Sequence, residues 1–182
     1  MNILTMSWTS ERHTNLNTFL SGEFLRHIRD KIVSKHSFLS QGTTRLVHYG
    51  EKFSSLCSLI DVSSVEDVEE FTQTTIHEFH SVEPDLLLFE RPNFLLNKSG
   101  NLIAGLPSLV VEIWSTSNSQ DERAFKRNLY ASSPTTEHWY LSQNDNKIER
   151  WLGKNQLTDL DISEILETQT GLRVDIRDLA FK

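Results

Sequence analysis

The spacing of hydrophobic positions changes several times along this chain, and each change predicts a different element. Between residues 14 and 33 apolar side chains recur every four residues, which predicts an amphipathic helix. That stripe comprises Leu16, Leu20, Phe24, Ile28 and Ile32. Residues 38–48 are predicted to form one strand, in which Thr44, Leu46 and His48 alternate with Arg45 and Val47. The short apolar segment at residues 2–8 predicts an edge strand.

The most informative change of pattern lies between residues 105 and 130. An apolar run from Leu109 to Trp114 is interrupted only by Glu112, and small polar residues then end it at 115–118. A continuous apolar run bounded by turn residues predicts a strand that is buried on both faces. A carboxylate in such a strand costs several kcal/mol of stability unless a cation or a hydrogen-bond network contacts it.

A helix is expected directly after this turn. Residues 117–119 are all suitable N-caps, and the acids that follow suit the positive end of the helix dipole. Glu122, Lys126 and Tyr130 recur at i, i+4, so they share one face of the helix. A buried acid and a basic helix face are therefore close in sequence. A neighbouring face, which is expected to pack on the sheet, carries Phe125 and Leu129.

A second acid precedes the apolar run at residues 86–89. Proline is tolerated at the start of a strand, so Asp85, which follows Pro84, is expected to open the strand. Two neighbouring strands that carry Asp85 and Glu112 could hold a divalent cation between them. A lysine beside them, Lys126, could orient or activate a water molecule.

Size and composition fit an ordinary globular protein. The chain has 182 residues, of which 37% are apolar and 24% charged, which suits one domain. A single cysteine, Cys57, excludes an internal disulfide and suits the reducing cytoplasm. No apolar run approaches the length of a membrane span. The net charge of -7 argues against a non-specific nucleic-acid binder, although residues 26–35 form a locally basic segment.

The rest of the chain has shorter signals. The segment from 51 to 82 is interpreted as an insertion, and capping-box spacing at its centre predicts a short helix. His77 and His80 have the spacing of a metal-binding pair, but a loop without a metal is favoured there. The remaining predicted elements are an acidic helix ending near Phe71, a turn at 97–101, a strand at 137–141, its hairpin partner at 148–152, a short helix at 162–166 and an amphipathic stretch at 172–176.

The string of strand, turn, helix and strand resembles the Uma-type branch of the PD-(D/E)xK nuclease superfamily. In the superfamily pattern a lysine lies two residues after the glutamate, where this chain has Trp114, so the resemblance assigns that lysine to Lys126 on the following helix. The resemblance is good over residues 84–152. The matching motifs are Pro84-Asp85, Leu109 to Ser115, Lys126, Tyr130 and Glu137-His138-Trp139.

The resemblance implies an α/β fold with a restriction-endonuclease-like core, in which helices flank a central mixed β-sheet. It implies one domain over residues 1–182. It also implies hydrolysis of DNA phosphodiester bonds with Mg²⁺ or Mn²⁺, held by Asp85, Glu112 and the backbone carbonyl of Ile113, while Lys126 acts in catalysis. Accessory roles would fall to His13, Glu11, Glu122 and Tyr130.

Several alternatives stay open at this point. Lys126 could be a solvated partner of Glu122, Asp85 could be a turn cap, and His13 with Glu11 could be a cap or a solvated pair. The whole chain could be a catalytically inactive nuclease-fold protein that binds nucleic acid or protein, or a hydrolase of other phosphoesters. A homodimer would suit cleavage of both DNA strands.

Overall fold

A computed structural model describes residues 11–29, 37–41, 45–49, 82–90, 94–96, 102–142, 147–161, 165–169 and 171–175. Its two described helices are α1 (Glu11–Arg29) and α2 (Gln120–Ala131). The strands are β1 (Ser37–Gln41), β2 (Arg45–Tyr49), β3 (Leu86–Glu90), β4 (Phe94–Leu96), β5 (Leu102–Gly105), β6 (Leu109–Trp114), β7 (Glu137–Ser142), β8 (Lys147–Leu152), β9 (Asn155–Asp161), β10 (Ile165–Glu167) and β11 (Arg173–Asp175).

Some sequence predictions lie outside these residues. They are the strand at 2–8, the acidic helix that ends near Phe71, the His77 to His80 segment, the turn at 97–101 and all but the last residue of the insertion at 51–82.

The central sheet has six strands in the order β1-β3-β6-β7-β8-β9. Strands β6 and β7 are parallel, and the other neighbouring pairs are antiparallel. The predicted α/β architecture with a central mixed sheet is therefore confirmed. A smaller sheet in the order β2-β5-β4 and the hairpin β10–β11 complete the described strands.

Strand β6 separates two hydrophobic clusters because successive side chains of a strand point to opposite faces. Leu109, Val111 and Ile113 belong to the cluster on which α1 packs, whereas Val110 and Trp114 belong to the cluster that receives α2. All six residues of β6 are buried, as the apolar run predicts. The predicted stripe of α1 is buried at its first three positions, Leu16, Leu20 and Phe24.

Helix α2 begins where its sequence predicts. The side chain of Ser119, the N-cap, accepts a hydrogen bond from the backbone of Glu122, and Ser132 is the C-cap. The prediction that Phe125 packs on the sheet is wrong, because Phe125 is 40% exposed. Lys126 and Tyr130 direct their own face of the helix toward β6, and this orientation turns Phe125 outward, while Leu129 packs at the margin of the cluster.

Two other predictions need correction. The single strand expected at 38–48 is two strands, because β1 pairs with β3 in the central sheet and β2 pairs with β5 in the smaller sheet. The helix expected at 162–166 is also wrong, since the described residues from Ile165 onward form β10, which pairs with β11. Short apolar runs do not distinguish helix from strand, and cross-strand pairing determines the outcome here.

Candidate active site

Glu112 lies at the centre of the candidate site. It is 2% exposed, and α2 brings two donors to its carboxylate from one helix face. Lys126 Nζ lies 2.8 Å from Glu112 Oε2, and the Tyr130 hydroxyl donates to Glu112 Oε1 at 2.6 Å. The cation and the hydrogen-bond network that a buried glutamate requires are therefore both supplied by the helix that follows its strand.

Asp85 immediately precedes β3, beside Glu112 of the neighbouring β6, so the strand begins one residue later than predicted, at Leu86. In the antiparallel register of β3 and β6, Leu86 is opposite Val111, so the next positions outward are Asp85 and Glu112. Asp85 Oδ2 accepts a 2.7 Å hydrogen bond from the backbone N–H of Ile113. This bond fixes the Asp85 carboxylate against the strand that carries Glu112.

His13, in the first turns of α1, contacts the other oxygen of the aspartate. Its Nε2 lies 2.9 Å from Asp85 Oδ1, and the two side chains are 13% and 18% exposed. The alternative of a solvated His13 is therefore wrong. Glu11 begins the same helix and is exposed, so it does not share the burial of the acids.

The acids and bases of the site shift one another's pKa. Burial raises the pKa of Glu112 to about 7, and the charge of Asp85 adds to this effect, while Lys126 and Tyr130 oppose it. Burial, the largest single effect, lowers the pKa of Lys126, but the charge and hydrogen bond of Glu112 and the charges of Glu122 and Asp85 together outweigh it, so the pKa is raised. The hydrogen bond to Asp85 raises the pKa of His13 against the opposing effect of burial.

Glu122 occupies the margin of the site. Its Oε1 lies 3.7 Å from Lys126 Nζ and accepts a 3.1 Å hydrogen bond from the Asn118 side chain, and the Glu122 side chain is 42% exposed. The alternative in which Lys126 is only a solvated partner of Glu122 is wrong, since Lys126 is 13% exposed and lies nearer to Glu112.

The donor set suits one class of metal better than others. Among the described residues, no group of three or more His, Cys, Asp or Glu side chains is arranged to enclose a metal ion. Structural zinc requires such an enclosure. Magnesium is usually held by one or two carboxylates together with water and substrate phosphates. The adjacent carboxylates of Asp85 and Glu112 are a set of hard oxygen donors of this second kind.

Sequence reasoning missed an arrangement of arginines beside the site. The guanidinium carbons of Arg123 and Arg127 lie 5.0 Å and 4.6 Å from the ring centroid of Trp114. Trp114 in turn stacks on Tyr140, with ring centroids 4.4 Å apart. The available signal was the spacing of the two arginines, which lie four residues apart on α2.

A second buried carboxylate, that of Glu137 on β7, belongs to a structural network. Glu137 is 1% exposed, and its Oε1 accepts hydrogen bonds from Arg150 Nη2 and Trp139 Nε1, each at 2.7 Å. Arg150 also donates to the carbonyl of Glu167 at 2.6 Å, and Gln169 N donates to Glu137 Oε2 at 2.9 Å. This network attaches the segment around β10 to the central sheet.

A buried histidine lies on the same sheet face as Glu112. His138 Nε2 lies 2.9 Å from the carbonyl oxygen of Gly153, which can only accept, so this nitrogen carries a proton. The Tyr140 hydroxyl, 2.8 Å from His138 Nδ1, then donates to it. Burial lowers the pKa of His138, which keeps the ring neutral. Gly153 has a φ of +53°, and a Cβ atom there would lie 2.9 Å from Pro134 Cα, so only glycine fits.

No helix in the described parts of the chain is both long and apolar enough to cross a membrane. No curated protein matches the sequence. Among solved structures, the fold is similar to that of a "putative nuclease belonging to DUF820" from Anabaena variabilis ATCC 29413, with a TM-score of 0.65 and 13% sequence identity. The alignment covers 98% of this chain and 85% of that one, and at this identity it shows the fold alone.

The sequence itself supplies the family. Residues 66–177 match the model of the Uma2 family, described as "Putative restriction endonuclease". The matched residues include Asp85, Glu112, Lys126 and Tyr130, and they exceed half of the chain. The predicted resemblance is therefore confirmed, and this chain belongs to the Uma2 family of restriction-endonuclease-like proteins.

Proposed function

We propose that this protein is a metal-dependent endonuclease that hydrolyses DNA phosphodiester bonds. The observation that carries the proposal is the convergence of Lys126 and Tyr130 on Glu112, with Asp85 held against the same strand. Two adjacent acids that can hold a divalent metal, together with a positioned cation, are groups that catalyse metal-dependent phosphodiester hydrolysis. Membership of the Uma2 family and the nuclease-like fold support the same reading.

Asp85 and Glu112 would hold Mg²⁺ or Mn²⁺, and the Ile113 carbonyl would be a third oxygen donor. When bound, the metal would polarise the phosphate and lower the pKa of a bound water. The Ile113 N–H fixes one oxygen of Asp85, and Tyr130 fixes one oxygen of Glu112. These hydrogen bonds orient the two carboxylates before substrate arrives, as a preorganised site requires.

Lys126 is proposed to stabilise negative charge on the phosphate and to orient the attacking water. Since the Glu112 carboxylate raises its pKa, Lys126 is a cation at neutral pH and is not a base that removes a proton from water. A fixed positive charge in a largely buried site stabilises a developing oxyanion more strongly than an exposed charge does. His13 and Tyr130 are proposed as positioning residues for Asp85 and Glu112, and Glu122 as one for Lys126.

A second candidate function is binding without catalysis. It is favoured by the net charge of -7, since nucleic-acid-cleaving proteins must bind a polyanion. In a binding protein of this kind, Lys126 would neutralise Glu112, and the ion pair would only stabilise the fold. The two candidates differ in whether the wild type cleaves nucleic acid.

The proposed function is tested by incubating the purified chain with supercoiled and linear DNA in Mg²⁺ and in Mn²⁺. Wild type should cut both substrates, whereas Asp85→Asn and Glu112→Gln should not. Glu167→Gln is the matched control, because it removes an exposed carboxylate that pairs with Arg173 and is not part of the candidate site. Cleavage that persists in both site variants would place the activity elsewhere, and no cleavage by wild type in either metal would favour the binding protein.

A further inference from the structure

We propose that Arg123 and Arg127, stacked on Trp114, form a second phosphate-binding site, which holds the DNA backbone beside the phosphate that is cut. This inference rests on the proposed function, because it names how the same site would hold its substrate. The two arginines are called the guanidinium pair below.

The guanidinium pair is adjacent to the candidate catalytic groups. Trp114 is on β6 two residues after Glu112, so both side chains point to the same face of the sheet. Arg123 precedes Lys126 by three residues, which places the two on neighbouring positions of one helix face. A nucleic-acid strand that places one phosphate at Lys126 could therefore place a neighbouring phosphate at Arg123.

In the described part of the chain, the positive charge of Arg123 is not balanced by an ion pair. Among the described residues no carboxylate forms an ion pair with Arg123, and its Nη2 instead donates to the carbonyl of Ser115 at 2.6 Å. Arg123 is also in the first turns of α2, where the helix dipole disfavours a cation. A bound anion would relieve both unfavourable terms.

The guanidinium pair also has unused hydrogen-bond donors. An arginine side chain has five N–H donors. In the described part of the protein, Nε of Arg123 and Nε of Arg127 are buried without a hydrogen-bond partner. Arg127 donates through Nη2 to Glu149 Oε2 at 2.5 Å, so the charge of Arg127 is already paired with a carboxylate.

Stacking makes the pair suitable for phosphate. The aromatic face of Trp114 holds the planar guanidinium groups in place, so less side-chain freedom is lost when a ligand binds. A planar fork of N–H groups matches the oxygens of a phosphate. Both guanidinium groups stack on the same ring, and Glu149 balances the charge of Arg127 only, so an anion bound beside Arg123 would reduce the repulsion between the two cations.

The test is DNA binding measured at several salt concentrations, by fluorescence anisotropy of a labelled duplex in EDTA, so that no cleavage occurs. Each phosphate contact contributes about 0.9 to the slope of log K against log salt concentration. Arg123→Ala should reduce the slope by about one and weaken binding to all sequences alike. Arg123→Lys keeps the charge and should keep most of the slope.

The matched control is Arg173→Ala, which removes an arginine that is 62% exposed on β11, away from the site. It should leave the slope unchanged. A slope for Arg123→Ala equal to that of wild type, or an equal decrease in Arg173→Ala, would overturn the inference. If Arg123→Ala melts at a lower temperature than wild type, Arg123→Gln provides the same charge removal with a longer polar side chain.

Failure of this inference is distinguishable from failure of the proposed function. Binding that depends on Arg123 in a chain that cuts no DNA would support the phosphate site and refute the endonuclease. Cleavage with no dependence of binding on Arg123 would refute the phosphate site alone. No DNA binding by wild type would overturn the inference.

Discussion

The hydroxyl of Tyr130 donates a 2.6 Å hydrogen bond to Glu112 Oε1 in the interior of the protein. Tyr130 is fully buried and Glu112 is 2% exposed, so water does not compete for this contact. Tyr130 follows Lys126 by four residues, and the two side chains contact different oxygens of one carboxylate. Lys126 and Tyr130 therefore fix both the orientation and the charge environment of Glu112.

Replacing Tyr130 with phenylalanine should lower the free energy of unfolding by about 1–3 kcal/mol, because a buried carboxylate loses a hydrogen-bond donor. Urea unfolding of Tyr130→Phe measures the loss. The same substitution in a Glu112→Gln background is the control, and its cost should be smaller, because the charged acceptor is gone. Equal costs in both backgrounds would show that the hydroxyl does not act through Glu112.

Divalent cations should raise the melting temperature of the wild type. Asp85 and Glu112 repel each other in the absence of a cation, and a ligand that binds only the folded state stabilises it by mass action. At 100 times the dissociation constant the stabilisation is about 2.7 kcal/mol. Thermal melts with and without Mg²⁺ or Mn²⁺ measure it.

Glu112→Gln should abolish this metal-dependent shift, and Glu167→Gln, which alters an exposed ion pair, should retain it. A shift of the same size in Glu112→Gln would mean that the cation binds elsewhere.

The stability of the metal-free protein should fall as pH rises from about 4.5 to about 7. The pKa of Glu112 is raised from 4.5 to about 7 in the folded protein, so in this window the folded state binds a proton that the unfolded state has released. Below the window both states are protonated, and above it the whole penalty of the buried charge is present. Unfolding in EDTA at a series of pH values measures the slope.

Glu112→Gln should flatten that slope, because the amide does not titrate. Glu167→Gln, which removes an acid that is 59% exposed, should leave the slope as in wild type. A slope in Glu112→Gln as steep as in wild type would contradict the assignment. His13 contributes in the same direction at higher pH, since Asp85 raises its pKa above 6.5.

Arg150→Met should destabilise the fold by about 3–5 kcal/mol, because it leaves the buried Glu137 without its cation. Arg173→Met is the control, since its ion pair with Glu167 is exposed and should be worth about 0–1 kcal/mol. Denaturant unfolding of the two variants provides the comparison. Similar small losses in both would mean that Trp139 and Gln169 satisfy Glu137 without Arg150.

The part of the fold around Glu112 could be predicted because its determinants are local in sequence. The apolar run of β6, the turn and the cap at Ser119 follow one another within a few residues, and i, i+4 spacing puts Lys126 and Tyr130 on one face. By contrast, Phe125 is exposed because the contacts with Glu112 set the rotation of α2. This rotation depends on contacts with another element, so the local sequence of α2 does not predict it.

Elements that depend on distant partners could not be predicted in the same way. Residues 37–41 and 45–49 both overlap the single strand expected at 38–48, but only pairing shows that β1 joins β3 while β2 joins β5. The contact of Arg150 with Glu137 and the stacking of Arg127 on Trp114 also join separate elements. Their residue types are common in solvated positions, so the sequence offers no reason to single them out.

The measurement that tests the central claim most directly is cleavage of DNA by Lys126→Ala. Glu112 can take up a proton when its cation is lost, so the variant should fold, and Mg²⁺ should still raise its melting temperature. Its single-turnover cleavage rate should fall by about 10²–10³, because one charge partner of the transition state is missing. Lys126→Arg should restore only part of the rate, and Lys154→Ala, which removes an exposed lysine, should cut like wild type. A Lys126→Ala rate equal to that of wild type would contradict the claim that this helical lysine acts in catalysis.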